Sequence, residues 1–204
     1  MYIPEIFKNE NKVEIEQFVH DNGFAILINQ VDGKLWATHT PLLLEVNALG
    51  KPFLSGHISI ENKQGDGFKQ NDEVLAIFSG TNAYISSSWY DHENVPTWNY
   101  IAVHIYGKIK ILSFEDTLKS LEKLVNKYEV NSKNPIKIEN LSSKTMLQAR
   151  SIIAFEIDIE KIEAKKKISQ NRDSKNYKNI ISELEKTQKH NEINISQEMK
   201  RNLK

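Results

Sequence analysis

Hydrophobic and polar residues alternate in this chain with two different periods. Ile101, Val103, Ile105, Ile109 and Ile111 alternate with Ala102, His104, Lys108 and Lys110, the period of a half-buried strand across 101–111. Ile153, Phe155, Ile157 and Ile159 alternate in the same way with Ala154, Glu156, Asp158 and Glu160, giving a final strand. Between them the period lengthens. Leu118, Leu121, Leu124, Val125 and Tyr128 form one stripe of a helix over 113–129, with Ser113 and Asp116 at capping-box spacing. A weaker helix is predicted over 143–151.

The remaining elements follow from shorter signals. Pro4 disfavours helix at the residue before it, so 1–7 reads as extended. Val13, Ile15, Phe18 and Val19 predict a short helix over 12–21, stopped by Asn22-Gly23. Strands over 24–30 and 34–40 flank Asp32-Gly33, a hairpin turn signal. Further strands are expected over 52–60 and 73–79, separated by a polar, Gly-containing loop at 61–72. Gly107 marks a bulge or a close backbone approach within its strand. Tyr177, Ile180, Ile181 and Leu184 predict a helix over 175–187, and 188–204 is polar enough to be a charged C-terminal tail or a marginal helix. At least six strands joined mostly by short turns, with one helical insertion at 113–151, favour a mainly β fold with peripheral α-helices: an antiparallel barrel rather than a doubly wound sheet. The barrel domain is expected over 1–187.

Composition narrows the chemistry. The 204 residues include no Cys, which excludes disulfides, thiolate catalysis and Cys-based zinc sites. No apolar run approaches a membrane span and the N-terminus lacks a signal pattern, so the expectation is a cytoplasmic protein without membrane contact. Net charge is zero but uneven. Residues 161–204 carry 12 basic and 6 acidic side chains, against 15 and 21 in the rest. That asymmetry fits a nucleic-acid or partner-binding end, and equally a solvated helix on an acidic body.

Two polar clusters stand out. Residues 83–100 hold two of the three Trp and three of the seven Tyr among Ser, His, Asn and Thr. Buried hydroxyls, amides and imidazoles each need a partner, so such a segment suits the wall of a flat, polar-edged ligand or a subunit interface better than a plain core. Lys167-Ile-Ser-Gln-Asn-Arg172 is the second cluster. Together they suggest a bound cofactor. There is no Gly-rich phosphate loop, no dinucleotide fingerprint, no Gly-x-Ser-x-Gly elbow and no His-Glu-x-x-His, so neither a catalytic residue nor a metal ligand is assigned.

Five segments carry a resemblance: MYIPEIF at 1–7, LWATHTPL at 35–42, SGHISIEN at 55–62, AYISSSWYDHENVPTWNYIAVHIYG at 83–107 and KISQNR at 167–172. In this order they are similar to the PaiB family of FMN-binding negative transcriptional regulators. The resemblance implies an FMN-binding split β-barrel of the pyridoxamine-phosphate-oxidase type, a homodimer with FMN in the groove between protomers, and DNA as a partner in regulation.

On that basis the expected FMN contacts are Thr38, His39, Thr40, His57, Asn62, Lys167, Ser169, Gln170, Asn171 and Arg172. Arg172 offers a bidentate fork and Lys167 a point charge for the phosphate. Bland readings stand beside these: a helix cap for 169–172, a β-rich Thr strand at 38–40, a structural His57, an exposed His104, and interface or core packing for Trp89, Tyr90, Trp98 and Tyr100. After Asn62 the chain has Lys63-Gln64-Gly65 where the family has an Asn-Pro and a Trp. A flavin-dependent oxidoreductase and a flavin-free interaction module of the same fold are the two alternative functions.

Overall fold

The computed structural model describes residues 1–68 and 72–203. Helix α1 (Lys12–Asp21) leads into strands β1 (Phe24–Val31), β2 (Lys34–Val46) and β3 (Pro52–Ser59), followed by β4 (Glu73–Ile85) and β5 (Thr97–Ile111). Helices α2 (Phe114–Glu129) and α3 (Ser143–Met146) precede β6 (Ile152–Lys167), and α4 (Ser174–Lys186) and α5 (His190–Arg201) end the chain. The strands close into a barrel in the order β1-β2-β3-β6-β5-β4. This is the mainly β split-barrel class expected from the sequence.

Several elements run further than their patterns. β2 continues through Pro41 to Val46, and β4 continues to Ile85. β6 reaches Lys167, well past the alternation that ended at Glu160. Residues 1–4 are irregular before a 3-10 turn at Glu5–Phe7. The loop expected at 61–72 contains a 3-10 turn, Lys63–Gly67, while 69–71 lie outside the described residues. The helix expected over 143–151 is one α turn followed by a 3-10 turn, Leu147–Ser151.

The chain forms two compact units. Val19–Ile77 with Ile105–Ile162 holds β1–β3, the first part of β4, the later part of β5, most of β6, and α2 and α3. Its β1–β2 hairpin turns at Asp32 and Gly33, both with positive φ, as a two-residue type I′ turn requires. Register places Leu27, Leu42, Leu54, Ile58, Phe155 and Ile157 together on the inner face, all buried. Gly107 is a close-approach residue: a methyl there would overlap the Asp158 carbonyl oxygen and lie 2.7 Å from Ile157 Cγ2. Ser113 caps α2 as its spacing predicts, accepting from Asp116 N and donating to the Asp116 carboxylate.

The outer face of the same sheet is apolar and open. Ile26 pairs with His39 and Ile77, Ile28 with Ala37 and Leu75, and Gln30 with Leu35. Phe24 is 66% exposed and Leu35 78%, so this face leaves large apolar surface in solvent.

The other unit comprises Met1–Phe18, Phe78–His104 and Glu163–Lys204. Its core joins Ala83, Ile85, Tyr90 and Ile168 to Tyr177, Ile180, Ile181 and Leu184 of α4 and to Ile195 and Met199 of α5. The segment 188–204, expected as a tail or marginal helix, is therefore helical over His190–Arg201, with Ile195 and Met199 fully buried.

Candidate functional site

The strongest concentration of chemistry lies in the second of these units, where β6 ends. Lys165 is only 7% exposed, although it carries a charge. Its Nζ donates to the Tyr2 carbonyl at 3.2 Å and lies over the rings of Tyr2 and Tyr100, 5.7 and 5.2 Å from their centroids. Two residues on, the Lys167 ammonium donates to Thr97 Oγ1 and faces the Phe7 ring. The Arg172 guanidinium lies 5.0 Å over the Tyr90 ring. Among the described residues no carboxylate pairs with any of the three.

Lys167 senses the other two. Burial, and then the positive charges of Lys165 and Arg172, push the Lys167 ammonium below its ordinary value. By contrast, Lys166, whose side chain leaves the strand between those of Lys165 and Lys167, bonds to Glu14 and pairs with Glu198 at 2.9 Å. Cations are ordinarily buried with a counter-charge. Lys167 and the two cations that repel it, set against aromatic faces and a hydroxyl with no paired carboxylate among the described residues, form a site that an anionic ligand would complete.

Within Lys167–Arg172 the side chains divide into two tasks. Ser169 takes a left-handed backbone (φ 63°), and its carbonyl accepts from Arg172 N at 3.0 Å. Its hydroxyl exchanges hydrogen bonds with buried Asn99, at 2.9 and 3.2 Å. Gln170 accepts from Ile168 N and donates to the Lys166 carbonyl, so its amide is spent on the turn itself. Asn171 is exposed. Ser169 and Gln170 thus shape a turn that aims Arg172. The helix-cap reading fails: the cap of α4 is Asp173, which accepts from Lys175 N and Asn176 N.

The aromatic segment also divides. Tyr90 enters the core, and Trp89 packs against it. Tyr84 and Trp98 meet edge to face at 5.8 Å on the surface, where Trp98 is 53% exposed. Tyr90 Oη is buried without a partner among the described residues. His104, expected to be exposed, is half-buried, and burial together with the nearby N-terminal ammonium lowers its pKa.

The remaining predicted residues belong to the barrel unit. Asn62 Nδ2 donates to Thr38 Oγ1 at 2.8 Å, and Asn62 Oδ1 caps the following 3-10 turn by accepting from Gln64 N. Thr40 is buried and donates to the His57 carbonyl at 2.7 Å. The structure therefore brings Thr38 together with Asn62, and Thr40 together with the His57 backbone. His39 lies on the open outer face, where its ring stacks on Phe24 at 6.0 Å. The His57 side chain faces α2 and the segment after it rather than Thr38. Sequence reasoning did not single out Lys165, Tyr2 or Phe7.

With this geometry in hand, the chain can be set beside known proteins. Residues 1–161 match the family model described as "Putative FMN-binding domain". "Protease synthase and sporulation protein PAI 2" of Bacillus subtilis is 39% identical over 205 residues, covering 100% of this chain and 99% of that one.

The chain belongs to the PaiB family. FMN is the cofactor that membership assigns, and the cationic cluster suits it: aromatic faces for a flat ring system, and cations with no competing carboxylate for a phosphate. When bound, the flavin supplies redox chemistry that no side chain provides. Solved structures share the fold. A FAD- and haem-binding protein of Mycobacterium smegmatis aligns with a TM-score of 0.62 at 12% identity, covering 86% of this chain and 79% of that one. The flavocytochrome Anf3 of Azotobacter vinelandii aligns with a TM-score of 0.62 at 12% identity, covering 84% and 75%. At that identity they speak for architecture alone.

Proposed function

We propose that this PaiB-family chain is a homodimeric, FMN-binding negative regulator of transcription acting in the cytoplasm. The observation that carries the flavin assignment is the trio Lys165, Lys167 and Arg172, held among Tyr2, Phe7, Tyr90 and Tyr100 without a carboxylate. Lys165 and Arg172 hold the phosphate, with Lys167 as the third charge, while Ser169, Gln170 and Asn171 shape the turn. Self-association is supported by the open outer face of Phe24, Ile26, Leu35 and His39, which is apolar and unusually exposed for a sheet. The regulatory role is supported by the relationship to PAI 2 over the full length of both chains.

A direct DNA contact has to come from the basic end, where the ion pairs Lys186–Glu183, Lys200–Glu185 and Arg201–Glu198 offset much of the charge. The test combines three measurements. An absorption spectrum after reconstitution with FMN should show bound flavin, and the mass in solution should be that of two chains. Gel shifts on the chain's own upstream DNA should weaken steeply with added salt. Arg172→Ala should weaken FMN binding at least tenfold without lowering the melting temperature, and unchanged affinity would remove Arg172 from the site. Absence of a shift even at low salt would end the direct-repression reading.

A further inference from the structure

The helical insertion 113–151 has no part in the flavin assignment, yet it roofs a pocket of about 290 Å³. The lining is largely apolar: Leu121 and Val125 come from α2, Leu141 and Met146 from the segment that follows, and Ile152 from the start of β6. Among the described residues, His57 of β3 is its only titratable side chain. The imidazole has no hydrogen-bond partner among the described residues, and the only other polar groups on the wall are Gln148 and Thr145. Thr145 is already engaged by Ser142 at 3.0 Å.

The geometry points to a second ligand site here, for a neutral molecule of one or two fused rings bearing a single hydroxyl group that bonds to His57. Volume sets the size, because an apolar cavity of roughly 150 Å³ already accepts one benzene ring. The lining sets the body of the ligand, since mostly hydrophobic walls with one or two convergent polar groups are what small-molecule sites present. His57 sets the functional group. Burial lowers its pKa, so the ring is neutral and offers one donor and one acceptor nitrogen. A hydroxyl satisfies either nitrogen, whereas a carboxylate would meet no cation among the described residues of the pocket.

The experiment uses FMN-saturated protein, so that the flavin site does not compete for aromatic probes. The probes are 2-naphthol, naphthalene and 2-naphthoate, followed by calorimetry. 2-Naphthol should bind about five- to tenfold more tightly than naphthalene, the worth of one hydrogen bond, and 2-naphthoate should bind most weakly. His57→Phe should erase the advantage of 2-naphthol, and Val125→Trp should abolish binding of both neutral probes while the melting temperature holds. If either variant misfolds, imidazole NMR of the natural protein decides. Of six histidines, only His57 should shift on adding 2-naphthol. Equal affinity for 2-naphthol and naphthalene, preference for 2-naphthoate, a silent His57, or no binding at millimolar probe would each overturn the proposal. A change of molecular mass in solution on His57→Phe would also overturn it, by assigning the pocket to a second copy of the chain.

Discussion

Replacing Lys165 with Met separates a ligand site from a structural strut. In the free protein the Lys165 ammonium is buried, and its stabilising contacts among the described residues are one hydrogen bond to the Tyr2 carbonyl at 3.2 Å and two aromatic faces within 6 Å. The charged hydrogen bond contributes about 1.5–3 kcal/mol and the two rings about 0.5–2 kcal/mol each. Against these stands a desolvation cost of several kcal/mol for an ion with no counter-ion. The two sides nearly cancel. Met has similar length and no charge to desolvate, so the flavin-free Lys165→Met protein should match the parent within about 1 kcal/mol, on either side.

FMN binding should behave differently. Loss of a charged partner to the phosphate removes about 1.5–3 kcal/mol, which is roughly a 10- to 150-fold rise in the dissociation constant. Urea unfolding of the flavin-free protein reads the first quantity, and quenching of FMN fluorescence at fixed ionic strength reads the second. Because the ammonium is buried, the ratio between parent and variant should change little with added salt, unlike that of a surface charge. A stability loss above about 3 kcal/mol together with unchanged FMN affinity would show that Lys165 braces the N-terminal segment, and the assignment would fail.

Three further outcomes are expected. Leu35→Asp, on the open outer face, should convert a two-chain mass in sedimentation to one chain without unfolding it; a persistent dimer would place self-association elsewhere. Gly107→Ala should cost about 2–4 kcal/mol in urea unfolding, because its methyl would overlap the Asp158 carbonyl of a neighbouring strand; a loss under about 0.5 kcal/mol would mean that the strands part freely there. Burial lowers the pKa of both His57 and His104, so the unfolded chain protonates first. Their contribution to stability is complete above the ordinary imidazole value near 6.5 and is lost as pH falls below it. The double variant His57→Gln, His104→Gln should flatten the fall in unfolding free energy between about pH 6.5 and 5, and an unchanged slope would refute the assignment.

The elements the sequence could announce were those whose signals are local. The Asp32-Gly33 turn, the Ser113 cap and the stripe of α2 each depend on residues within a few positions, and each stands where its pattern put it. α5 was less legible. Only Ile195, Ser196 and Met199 are buried in a helix dominated by charge, and its stability comes from packing against α4 rather than from its own pattern.

The cationic cluster was half visible for the same reason. Lys167 and Arg172 stood out because they flank polar residues at a predicted junction. Lys165 did not, since Lys165-Lys-Lys reads as solvated charge, and Ala164 and Lys165 are buried side by side, which breaks the alternation that identifies an inward face. What makes Lys165 a buried cation is Tyr2, a residue more than 160 positions away, which supplies both a carbonyl and a ring. No spacing rule encodes that pairing. It arises because the N-terminal segment runs beside the end of β6, where Lys8 bridges to Lys165 and Asn9 N donates to the Ala164 carbonyl. If Lys165 matters through this docking, removing residues 1–7 should weaken FMN binding at least as much as Lys165→Met does, while α4 and α5, which take no part in the bridge, keep their packing.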